Sequence, residues 1–193
     1  RDFSLKAENL LRQKGFFSRP LVVIHPMAKW ETKQWPPENF SRLISALTKR
    51  KASPVVTGSP QDVEPVKEIL RRVEDPSTVL NLAGKTSLKE LAGIFALSDL
   101  VLTPDTGPMH LAAAAQAPLI ALFGPTAPWR TGPYGDHSLV IRRDLACSPC
   151  FKKKCSTREC MNSIGVEEVL AAAEEKLKQD GVMSANVEEV SGL

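Results

Sequence analysis

Six short apolar runs alternating with stretches of helical spacing set the limits on what this chain can fold into. The runs are Leu21–His25, Pro54–Thr57, Thr78–Leu82, Leu100–Thr103, Leu119–Phe123 and Ser138–Ile141. They are short and rich in β-branched residues, the pattern of strands buried on both faces. Between them apolar residues recur at helical spacing over Glu38–Arg50, Val63–Val73, Leu88–Leu97 and Met109–Ala115. Strands and helices in strict alternation favour right-handed crossovers. The expectation is therefore an α/β fold with a doubly wound parallel sheet, Rossmann-like, whose ligand lies at the carboxyl ends of the strands. Start signals agree: Pro36-Pro37 precedes the second helix, and Ser87 with Glu90 has capping-box spacing ahead of Leu88.

At 193 residues and 42% hydrophobic content, the chain can close one full core. We expect one nucleotide-binding domain over 18–179. Residues 1–17, with Leu5, Leu10 and Leu11 among charges, read as a linker helix from a preceding domain, so that the chain is a fragment, and 180–193 read as a loosely ordered tail. The 25 basic and 22 acidic side chains leave a formal charge of +3, which calls for no nucleic-acid partner and leaves anionic small molecules open. No window reaches the roughly 18 apolar residues of a membrane span, and no signal-peptide core is present. The expected location is cytoplasmic, with at most peripheral membrane contact.

The sharpest local signal is Pro104-Asp105-Thr106-Gly107-Pro108-Met109-His110, where a strand ends and an alanine-rich helix begins. Amides in a helix's first turn, with the helix dipole behind them, favour a diphosphate there. Gly107 lets the backbone come close and Pro108 gives up an amide the first turn would leave unpaired. Asp105 would repel phosphate, so it is suited to accept hydrogen bonds from sugar hydroxyls, unless Asp105 or Thr106 merely caps the helix. A second loop, His25 to Pro36, carries Lys29, Lys33, Trp30 and Trp35 after the first strand, where Lys33 or Lys29 could neutralise a phosphate. Asp62, after the second strand, could take ribose hydroxyls or act as a helix N-terminal charge, and Thr86 could line the pocket or help cap a helix. Gly124-Pro125-Thr126 could shape the same crevice, and His110 is either a packed helix residue or a ligand contact. Walker, HExxH and G-x-G-x-x-G patterns and a Ser/His/Asp order are all lacking.

Cys147, Cys150, Cys155 and Cys160 follow the spacing C-x2-C-x4-C-x4-C. Four thiolates so close could form a structural zinc site, with free thiols, redox-dependent disulfides or an iron–sulfur cluster as alternatives. Together with Lys152–Lys154 they would suit a zinc-dependent nucleic-acid-binding module, which leaves the strand-end loops unexplained.

The ordered set His25-Pro26 with Lys33-x-Trp35-Pro36, Asp105 to Leu111, Phe123 to Thr126, Gly132 to Gly135 and the cysteine loop resembles glycosyltransferase family 9, the ADP-heptose:lipopolysaccharide heptosyltransferases. The resemblance covers about residues 18 to 178. It implies the C-terminal half of a GT-B enzyme, binding ADP-heptose, while a separate N-terminal domain holds the lipopolysaccharide core acceptor and the catalytic base at the inner face of the inner membrane. By the same resemblance Lys33 and Asp105 carry the catalytic roles. Ala28, Lys29, Asp62, Thr86, Thr106, Gly107, Met109 and His110 then contact the donor, and no metal is needed for inverting transfer. Another GT-B nucleotide-sugar enzyme or an epimerase of that architecture is the alternative. The chain departs from the family where hydroxyls often follow the first strand: it has Ala28 and Lys29.

Overall fold

The computed structural model describes residues 2–179. Six parallel strands form one sheet in the order β3-β2-β1-β4-β5-β6. They are β1 (Leu21–Ile24), β2 (Ser53–Val56), β3 (Leu80–Asn81), β4 (Leu100–Pro104), β5 (Leu119–Phe123) and β6 (Ser138–Arg142). The helices are α1 (Asp2–Gln13), α2 (Pro37–Lys49), α3 (Val63–Leu70), α4 (Leu88–Leu97), α5 (Gly107–Ala114), α6 (Pro128–Thr131), α7 (Glu159–Asn162) and α8 (Val166–Gln179). The expected tail, 180–193, lies outside the described residues.

The apolar runs work because alternate residues of each strand face opposite sides of the sheet. Val22 and Ile24, Val56, Leu100 and Leu102, and Ile120 and Leu122 pack with Leu43, Ile44 and Leu47 of α2, Val66 of α3 and Val169 of α8. Their neighbours Leu21 and Val23, Val55, Val101, and Leu119, Ala121 and Phe123 pack with Ile94 and Phe95 of α4 and Met109 and Ala112 of α5. Both faces are covered, as in a doubly wound sheet. The segment expected as a linker joins this second core: α1 lies on α4 with Ala7 and Leu11 fully buried. Full burial of a leucine contributes about 2–3 kcal/mol, so α1 is held by packing.

Several edges of the sequence reading shift, two of them for a visible local reason. Thr78–Leu82 was expected to be extended throughout, but Pro76–Thr78 forms a 3-10 turn whose Asp75 carboxylate accepts from the Ser77 amide and hydroxyl, leaving a two-residue β3. Likewise α3 stops at Leu70, because the Arg72 and Val73 amides turn to carbonyls three residues back. The capping box of Ser87 and Glu90 forms as expected.

Buried Asp99 ties the start of β4 to the start of β1: its Oδ2 accepts the Leu21 amide at 2.6 Å and its Oδ1 pairs with Arg19. Asp99→Leu strands that amide and is expected to cost about 2–3 kcal/mol in urea unfolding, with Asp99→Asn recovering part of the loss. Equal stability of all three proteins would show that the Leu21 amide finds water instead.

Candidate functional site

The sheet order dictates where the site lies. β1 is followed by β2 on one side while β4 starts the other half, so the loops leaving β1 and β4 diverge and open a crevice at the strands' carboxyl ends. A cleft of about 700 Å³ occupies it. His25, Ala28 and Lys29 line it after β1, Ser59, Pro60 and Asp62 after β2, Thr86, Ser87 and Leu88 after β3, and Thr106 and Pro108 after β4.

Beside this cleft Lys33 and Asp105 meet, Nζ to Oδ2 at 2.7 Å, with the lysine side chain 17% and the aspartate 5% exposed. Lys33 ends a 3-10 turn fixed by its surroundings. Thr32 is buried and donates its hydroxyl to the Lys152 carbonyl at 2.7 Å, Trp35 is buried and donates its indole N–H to the Ile164 carbonyl, and the Lys33 ammonium rests over the Trp30 ring. Asp105 follows β4 directly, and Thr126, just beyond the neighbouring β5, donates its hydroxyl to the same Oδ2 at 2.5 Å. Both contacts fall on one oxygen. No buried side-chain oxygen among the described residues lacks a partner, so the other oxygen, Oδ1, is open to the solvent side.

Neither Asp105 nor Thr106 caps α5. The carboxylate is committed to Lys33 and Thr126, and the Thr106 side chain makes no capping bond, which leaves the start of the helix free for an anion. Gly107 is exposed, and a Cβ built on it meets no protein atom within 4 Å. The fold itself does not require glycine there; the open space faces outward.

The structure gathers Ala28, Lys29, Asp62, Thr86 and Thr106 of the expected contacts around the cleft, while Asp105 and Gly107 flank Thr106 in sequence and Lys33 pairs with Asp105. Of the other two expected contacts, Met109 is fully buried, on the same helical face as Ala112. His110 lines a second, smaller cavity.

Asp62 acts as a helix N-terminal charge, its Oδ2 closing a capping box with the Ser59 amide and hydroxyl, and the residue also lines the cleft. Sequence reasoning passed over Thr126 as Asp105's partner, and Ser59 and Leu88 in the cleft wall. Position directly after a strand end is the signal all but Leu88 share. His25, at the cleft floor, is 5% exposed with Nδ1 3.1 Å from the Thr57 hydroxyl, and burial lowers its pKa to about 4 against a weaker opposing pull from Asp62.

The four cysteines lie in the segment between β6 and α8. Among the described residues no group of three or more His, Cys, Asp or Glu is arranged to hold a metal, and all four thiols are free. Cys160 is buried, its thiol pKa raised by desolvation and then by the neighbouring thiols. Cys155 is exposed, its pKa lowered first by the Arg158 amide and then by the Thr157 hydroxyl. The loop fastens neighbouring turns together. Ser148 donates to the Gly124 carbonyl, the Cys150 and Phe151 amides donate to Pro125, and the Arg158 guanidinium donates to the Glu31 carbonyl. A side chain on Gly124 would run into Met161 Sδ at 2.6 Å, so α7 closes tightly on this turn.

Comparison with known proteins adds context to this geometry. The family described as glycosyltransferase family 9 (heptosyltransferase) matches residues 1–161. Lipooligosaccharide heptosyltransferase 2 of Campylobacter jejuni is 30% identical over 182 residues, covering 91% of this chain and 56% of that protein. The structure of Escherichia coli ADP-heptose LPS heptosyltransferase II superposes with a TM-score of 0.79 at 27% identity, over 94% of this chain and 53% of that one. The Escherichia coli heptosyltransferase WaaC with ADP gives 0.69 at 25% identity, over 88% and 48%. The chain thus spans about half the length of these relatives.

Proposed function

The chain belongs to glycosyltransferase family 9, the heptosyltransferases, and from that footing we propose that it is the donor-binding half of an inverting heptosyltransferase of lipopolysaccharide core biosynthesis. The observation that carries this reading is the 2.7 Å contact of Lys33 with Asp105 beside a cleft built from four strand-end loops. The cleft receives the adenosine of ADP-heptose, with Leu88 and Leu91 offering apolar surface to the base and Asp62 taking ribose hydroxyls. The diphosphate lies across the start of α5, at Thr106 and Gly107, with Lys29 and Lys33 supplying charge. Asp105 Oδ1 then accepts from heptose hydroxyls. That a similar structure holds ADP supports this placement.

In the proposed transfer an acceptor hydroxyl oxygen attacks the anomeric carbon from the face opposite the leaving group. The bond from that carbon to the diphosphate oxygen breaks, its electron pair leaves with ADP, and the configuration inverts. The hydroxyl proton goes to a carboxylate in an acceptor-holding domain, which we place outside this chain in keeping with its share of the relatives' length. This half stabilises the departing diphosphate through fixed amide dipoles and the Lys33 ammonium, an electrostatic role that calls for no metal ion. The lipopolysaccharide core acceptor places the enzyme at the cytoplasmic face of the inner membrane, with peripheral contact at most. No helix among the described residues is long and apolar enough to cross a membrane.

Calorimetric titration tests the reading. ADP is expected to bind the chain at about 0.1 mM, roughly −5.5 kcal/mol, AMP about tenfold more weakly, and a chelator is expected to change neither. Equal affinities for ADP and AMP would remove the diphosphate from α5.

A further inference from the structure

A second cavity of about 390 Å³ touches the same helix as the nucleotide cleft. Thr106 and Pro108 of the first turn face the cleft, and His110 faces this second space. Its other wall is the segment after β5, with Trp129, Arg130 and Tyr134. Trp129 is 71% and Tyr134 87% exposed, two large aromatic side chains held at one opening. They are not carried on a slack loop. The Arg130 and Thr131 amides both donate to the Ala127 carbonyl and Gly132 donates to Pro128, while a Cβ on Gly132 would meet the Pro128 carbonyl oxygen at 2.3 Å, so glycine is needed to close the turn.

The chemistry of the lining selects its ligand. Exposed aromatic rings gain by covering the C–H face of a sugar ring, and the cavity falls in the size range of small-molecule sites. Arg130 lines the space, and Arg142 lies over the Trp129 ring at 5.3 Å. Arg142 pairs with Asp144 at 3.5 Å, whereas no carboxylate lines the cavity beside Arg130. Resting on the donor-site reading above, we infer that this cavity is an acceptor subsite that takes a sugar bearing a phosphate or carboxylate, held by Trp129 and Tyr134 and by the charge of Arg130. Its hydroxyl is thereby brought to the same helix start at which the diphosphate is placed. This half then contributes to acceptor choice as well as to donor binding.

The test is a titration followed by the Trp129 indole N–H resonance, with ADP held at saturation. Glucose 6-phosphate and glucuronate are expected to shift that resonance saturably in the millimolar range, and glucose about tenfold more weakly, a difference of about 1.4 kcal/mol. Arg130→Gln is expected to erase the preference for the charged sugars and Arg130→Lys to keep it, which separates charge from folding. Displacement of the sugar by ADP would overturn the inference and make the cavity part of the donor site. Absence of any saturable shift would overturn it as well, and so would inorganic phosphate binding as tightly as the sugar phosphate. Failure of ADP to bind, with sugar binding intact, would instead count against the donor-site reading and leave this subsite standing.

Discussion

Exchanging Asp105 for asparagine in the full-length enzyme is expected to slow sugar transfer by about 10²- to 10³-fold while changing ADP affinity little. The carboxylate is buried, and its Oδ2 already holds both the Lys33 ammonium and the Thr126 hydroxyl. An amide retains one acceptor oxygen and turns the other position into a donor, which must face either Lys33 or the sugar. One of the two contacts is lost whichever way the amide turns. Lys33→Met should give a loss of the same order, because the two groups hold each other in place, and the double variant should be little worse than either single one. Single-turnover rates with ADP-heptose supply the measurement. Additive losses would mean that the residues act separately, and an unaltered rate in Asp105→Asn would take the carboxylate out of the site.

Acidification is expected to weaken the fold through His25. Its pKa lies near 4 in the folded protein against the ordinary 6.5, chiefly because burial penalises the charged ring. Between those two values the unfolded chain holds a proton that the native protein does not. Stability contributed by this residue is thus complete above pH 6.5, falls as the pH drops towards 4 and changes no further below it. The full loss amounts to about 3 kcal/mol. Urea unfolding at a series of pH values should show this slope, and His25→Gln should flatten it over the same interval. A wild-type protein equally stable at pH 6.5 and pH 4.5 would contradict the burial argument. Since His25 also lines the cleft, its ring is neutral there at neutral pH and brings no charge to a bound nucleotide.

The strand and helix pattern was largely legible because both sheet faces are covered, which makes each strand a compact apolar run that polar turns interrupt. α4 and β5 follow the expected spans residue for residue. The convergence of Lys33 with Asp105 was also within reach, since adjacent parallel strands β1 and β4 release both loops at the same end of the sheet. What sequence spacing could not separate was the two sides of α5. Thr106, Met109 and His110 stand within a single turn, and only the packing of Met109 and Ala112 against the sheet decides which directions remain for a ligand. Thr126 was hidden for another reason. It lies 21 residues from Asp105, and their contact depends on β5 pairing with β4, which local patterning does not specify. The spacing of the four cysteines did not say which of them would be buried. In the folded loop one thiol enters the core while another turns to solvent.

The fastening of segment 148–161 has a mechanical meaning. It grips the turn bearing Lys33 through Thr32 and Glu31, and the turn bearing Thr126 through Gly124 and Pro125. Those two turns leave different strands and would otherwise drift independently, yet each delivers one hand to the same carboxylate oxygen. Bolted to a common crosspiece, they travel as one jaw, so a disturbance at the far surface of the cysteine loop reaches both grips on Asp105 together.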